Sequence, residues 1–163
     1  MFMKIAATAV RSLSWVIYAL IAAVLLLALP MVAGYRPLIV LSGSMEPAYP
    51  VGSMIYYKSV SYDSISVGDA ITFKLGERGL ATHRVVQKND PDQSFVTKGD
   101  NNEAQDVNPV SYDDVAGRIS GIAIPYAGFL SAKLTNKIVL LVSGAILLIS
   151  VFFPANKNSK KRR

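Results

Sequence analysis

The chain contains one histidine, His83 in ATHRVV, and no cysteine. Those two facts narrow the available chemistry. Without thiols there is no disulfide, no thiolate nucleophile and no cysteine-ligated zinc, and a lone histidine falls short of the three or four protein ligands that zinc takes. For covalent catalysis a hydroxyl remains. LSGSMEP, residues 41–47, carries Ser42 and Ser44 around a glycine in a turn closed by Pro47. A serine hydroxyl is a weak nucleophile at neutral pH and needs a base to take its proton; among side chains only histidine titrates near neutrality unaided. The imidazole in turn needs a third group to hold it, usually a carboxylate. KGDNNEAQD, residues 98–106, offers Asp100 and Asp106 on a loop after a strand, so that one orients His83 while the other braces the loop. Each residue also has a structural reading. Turn serines bond local backbone groups, a strand histidine among apolar neighbours packs as a structural residue, and loop aspartates are solvated. Spacing alone leaves both readings open.

The elements that must position these groups are strands. SMIYYK (53–58) alternates and is rich in β-formers, and DAITFK (69–74) and LATHRVVQ (80–87) flank the glycine-bearing turn LGERG (75–79), which predicts a β-hairpin over 69–87. NDPD (89–92) signals a turn, SFVTKGD (94–100) a strand ending in a glycine turn, NNEAQDVNP (101–109) a polar loop, and VAGRISGIAI (115–124) a further strand or pair. Strand alternation puts His83 on one face with Ala81 and Val85, and Arg84 on the other with Thr82 and Val86. Lys74, Lys88 and Lys98 read as solvated lysines of strands or turns. Met45 is expected near the membrane surface, in a substrate groove, or as packing. No stretch of this middle segment has a long helical period, so an all-β domain is expected.

That domain lies between two apolar runs. From Ser12 to Tyr35 there is no charged residue, and at 1.5 Å per residue those 24 positions cover the roughly 30 Å of a bilayer's hydrocarbon. Signal-peptide cores run about 7–15 residues, so a retained helix is favoured over a cleaved leader, although LPMVAGY has the small residues a cleavage site uses. A second uncharged run spans Ile138 to Asn156. The expected organisation is a cytoplasmic terminus (1–11), a transmembrane helix (12–34), an extracytoplasmic β domain (35–136), a second transmembrane helix (137–155) and a basic cytoplasmic tail (156–163). Charge supports this multi-pass arrangement. The overall +6 conceals a middle segment with 9 Lys and Arg against 11 Asp and Glu, while the other 8 basic residues flank the apolar runs with no acid among them. Nucleic-acid binding would put the basic residues on the folded domain and is excluded; the pattern fits the positive-inside rule and a lipid bilayer as partner.

SGSMEP (42–47), VGDAITF (67–73), THRVV (82–86) and TKGDNNEAQD (97–106), in this order after an apolar helix, resemble the boxes of type I signal peptidases. IPYAGF (124–129) resembles the family's closing segment, and the match covers roughly residues 10–130. A histidine where most bacterial members have a lysine base is the feature of the endoplasmic-reticulum-type branch. The resemblance implies a mainly β, membrane-tethered serine endopeptidase that removes signal peptides from preproteins and uses no cofactor or metal. It implies Ser44 as nucleophile, His83 as general base, Asp106 as the carboxylate orienting His83, and Asp100 in the adjacent GDNN turn as a second acidic partner. Ser42 and the Ser44 backbone N–H correspond to the oxyanion donors. Preprotein signal peptides are the implied partners, and accessory membrane subunits are compatible with the branch. The rival from another class is a non-catalytic, membrane-anchored β domain acting as scaffold or assembly factor. A LexA-like self-cleaving domain shares the serine turn but requires a lysine base.

Overall fold

The computed structural model describes residues 2–76, 79–134, 141 and 144–146. Its described residues divide into two units, Pro30–Leu130 and a second to which residues 2–29 and those described after 130 belong. The 31-residue helix α1, Phe2–Val32, contains the charge-free stretch Ser12–Val32, which is long and apolar enough to cross a membrane. The expected second spanning helix, 137–155, lies outside the described residues apart from Leu141 and 144–146.

The unit Pro30–Leu130 is built on one seven-stranded antiparallel sheet. Its strands are β1 (Arg36–Ile39), β2 (Met54–Lys58), β3 (Ala70–Lys74), β4 (Leu80–Asn89), β5 (Ser94–Lys98), β6 (Val110–Ser111) and β7 (Val115–Ile124), in the order β1-β2-β7-β3-β4-β5-β6. The expected hairpin is β3–β4, in register with Ile71 opposite His83. Residues 115–124 form one strand, inserted between β2 and β3. A short helix α2, Ala127–Leu134, follows β7.

The pairing of the chain explains which strands show clean alternation. In both β2 and β3 four consecutive residues are buried, so both faces of each strand are covered and alternation is lost. On one face of β3, Ile71 and Phe73 pack with Val85, Phe95, Tyr62 and Val110. On the other, Ala70 joins Met45, Tyr49, Ile55, Tyr57 and Ile119. Met45 is therefore a core residue, 3% exposed, and it anchors the serine turn to the sheet. Lys88 departs from the solvated reading. Its ammonium lies 4.1 Å from the Tyr62 ring centroid and donates to the carbonyls of Tyr62 and Ile65, so it ties β4 to the loop before β3. Gly52 sits at φ +80°, and a Cβ there would fall 1.9 Å from the Phe129 ring; only glycine admits that contact.

Candidate active site

Ser44 lies in a single 3₁₀ turn, Gly43–Met45, twelve residues past the end of α1. Buried Met45 holds the turn from below, and the Tyr49 N–H donates to the Met45 carbonyl at 2.8 Å. From above it is held by the loop after β5: the Asn101 N–H donates to the Ser44 carbonyl at 2.9 Å. That contact needs glycine at 99, where a Cβ would stand 2.7 Å from the same carbonyl oxygen. Ser42 Oγ and Ser44 Oγ are 3.4 Å apart.

His83 projects from the middle of β4 beside Phe73, with ring centroids 6.0 Å apart in an edge-on arrangement. Its Nδ1 is 2.6 Å from Asp106 Oδ2, and the two side chains are 15% and 25% exposed. A carboxylate only accepts, so an ionised Asp106 fixes the proton on Nδ1 and leaves the Nε2 lone pair free. The same Oδ2 accepts the Thr97 hydroxyl at 2.6 Å, and the Asp106 N–H donates to the Thr97 carbonyl at 2.8 Å.

Asp100 goes elsewhere. Its two oxygens accept Arg84 Nε and Nη2 at 2.7 and 2.6 Å, a bidentate pair, while Arg84 Nη1 donates to the Gly68 carbonyl at 2.7 Å. The hydrogen bonds that Arg84 donates to Asp100 raise the guanidinium pKa above its ordinary value, against a smaller opposing effect of burial. Of the two loop carboxylates, Asp106 meets the histidine and Asp100 braces the 99–102 turn that carries Asn101. Arg84 and Thr97 did not stand out from the sequence. A salt bridge between a strand and a turn 16 residues on has no local spacing, and a buried strand threonine looks like any β-former.

Ser42, Ser44 and His83 line one cavity of about 640 Å³, together with Leu38, Tyr49 and Ala81. One flank of it is residues 80–83 of β4. Val85 exchanges both its backbone groups with Gly68 and Asp69 at 2.8 Å, so alternation turns those of Thr82 to the opposite side. There β5 pairs only from Arg84 onward, and no strand among the described residues pairs with 80–83 on that side. The cavity thus has a free strand edge and a mainly apolar wall, which together can accept an extended peptide by strand addition.

Proteins of similar sequence place the chain in a family. The family model described as "Signal peptidase, peptidase S26" matches residues 12–115. Signal peptidase I W of Bacillus subtilis (strain 168) is 41% identical over 99 residues, covering 59% of this chain and 52% of the relative. Signal peptidase complex catalytic subunit SEC11C of Homo sapiens is 36% identical over 127 residues, covering 68% and 66% respectively. The subunit SEC11 of Ogataea parapolymorpha is 31% identical over 121 residues, covering 61% and 68%. The chain thus spans about half to two thirds of the length of the curated relatives it matches. With the serine turn, the strand histidine and these similarities together, the chain belongs to the signal peptidase family, peptidase S26, on its endoplasmic-reticulum-type branch.

Proposed function

We propose that this chain is a membrane-bound serine endopeptidase that removes N-terminal signal peptides from exported preproteins. The observation that carries the reading is the contact of His83 Nδ1 with Asp106 at 2.6 Å, with His83 and Ser44 on the wall of the same cavity. His83 Nε2 takes the proton of Ser44 Oγ as that oxygen attacks the scissile carbonyl. The imidazolium, held by Asp106, then returns the proton to the leaving amine, and water resolves the acyl-enzyme by the same route in reverse. Ser42 Oγ, 3.4 Å from Ser44 Oγ, and the Ser44 N–H receive the oxyanion as charge develops there. The substrate lies as an added strand along 80–83, and its small side chains at −1 and −3 enter the apolar wall by Leu38, Tyr49 and Ala81. The relatives named as signal peptidases support this substrate class.

The charge distribution supports a further proposal, that 137–155 is a second membrane span and both termini are cytoplasmic. Accessory membrane subunits are proposed because SEC11C is named as a subunit of a complex. The purified full chain in liposomes tests the peptidase reading directly. It should release a mature protein whose new N-terminus, read by mass spectrometry, follows a small residue, and a bulky aromatic residue at −1 should abolish release. Cleavage indifferent to the −1 side chain would contradict the assignment of the pocket.

A further inference from the structure

The network behind His83 contains one member that the proposed mechanism does not use. Thr97 has no exposed surface and belongs to β5, where it is paired with Val85, two residues beyond His83 on β4. His83, Val85 and Thr97 thus share one face of the sheet. Asp106, by contrast, lies in the polar stretch between β5 and β6, with no strand or helix to fix it. Thr97 grips it twice, its carbonyl accepting the Asp106 N–H at 2.8 Å and its hydroxyl donating to Oδ2 at 2.6 Å. Oδ2 is the oxygen that also takes His83 Nδ1.

We propose that Thr97 is a positioning residue for the reaction, and that its hydroxyl locks the Asp106 carboxylate in the rotamer that orients His83. The inference rests on the peptidase reading above. A carboxylate on a loop has two oxygens and a nearly free terminal torsion, so one acceptor contact to an imidazole does not define its plane. A second donor on the same oxygen, delivered from a buried strand, removes that freedom. It also satisfies Oδ2 with two donors, so the carboxylate does not turn to solvent at its 25% exposed side. A methyl group in the place of the hydroxyl keeps the packing and deletes only the donor. The threonine methyl alone does the reverse: its loss opens a small gap and leaves the donor in place.

That separation supplies the test. Wild type, Thr97→Val, Thr97→Ser, Asp106→Asn, the double variant Thr97→Val with Asp106→Asn, and Ser44→Ala are compared as full chains in liposomes, by preprotein cleavage and thermal unfolding. Thr97→Val should lower kcat about tenfold or more at unchanged KM, with its unfolding midpoint near wild type. Thr97→Ser should keep kcat within about twofold even if its midpoint falls. In the Asp106→Asn background Thr97→Val should cost little further, because it acts through that carboxylate. Wild-type kcat in Thr97→Val, or equal kcat losses in the Val and Ser variants that track stability, would overturn the proposal. Residual cleavage by Ser44→Ala would instead refute the peptidase reading itself, whatever the Thr97 variants do.

Discussion

Replacing Asp106 by Asn isolates the charge behind His83 with little change of shape. Asn keeps an oxygen that can accept both Thr97 Oγ1 and His83 Nδ1, whose contacts to the present oxygen are each 2.6 Å. In the proposed mechanism it loses the negative charge that stabilises the imidazolium formed as Ser44 gives up its proton. Taking the two charge centres about 4 Å apart at an effective dielectric of 20, the attraction is roughly 4 kcal/mol. The partial exposure of both side chains, 15% and 25%, screens part of it and leaves about 2–3 kcal/mol. At 1.36 kcal/mol per factor of ten, kcat should fall about a hundredfold, and further if the amide turns its NH₂ toward Nδ1 and reverses the tautomer. KM should change little, since Asp106 does not line the cavity wall. Asp100→Asn is the matched control. It breaks half of a bidentate pair with Arg84 and leaves His83 untouched, so it should cost stability more than rate. Single-turnover cleavage of a purified preprotein by the two variants reads the difference. A larger rate loss in Asp100→Asn than in Asp106→Asn would refute the assignment of the carboxylates.

Other perturbations follow from the same geometry. Ser42→Ala removes the proposed oxyanion donor and should reduce kcat by about 10²–10³ without weakening binding of an uncleavable signal peptide, measured by fluorescence anisotropy. Gly99→Ala places a methyl 2.7 Å from the Ser44 carbonyl and should displace the serine turn, lowering kcat with little change in the thermal midpoint; unchanged kcat would show that the Asn101 contact is dispensable. Phe95→Ala empties a site with no exposed surface between Tyr62 and Val110, and should destabilise the sheet domain by about 3–5 kcal/mol in urea titration.

Much of this arrangement was legible because short-range rules govern it. The β3–β4 hairpin follows from two runs of β-formers around LGERG, and the long loop 101–109 from its polar composition. β1 was not legible: RPLI is four residues long, contains a proline and adjoins an apolar helix, and it becomes a strand only by pairing with β2. β6 has two residues and exists only as a partner of β5. Lys88 looked solvated because nothing local announces Tyr62, 26 positions away and brought beneath its ammonium by the fold. At the site, Ser42, Ser44, His83 and both aspartates stood out by residue type and motif. Which carboxylate reaches the histidine did not follow from spacing. It depends on the turn at Gly99, which sends Asp100 toward Arg84 and lets the chain return so that Asp106 pairs with Thr97.

Ser44 is the proposed nucleophile of a signal-peptide cleavage reaction. The most direct measurement of that role is preprotein cleavage by the purified full chain in liposomes, wild type beside Ser44→Ala, at matched protein levels and matched thermal stability. Wild type should yield a mature product and Ser44→Ala none. Equal product from both would contradict that role.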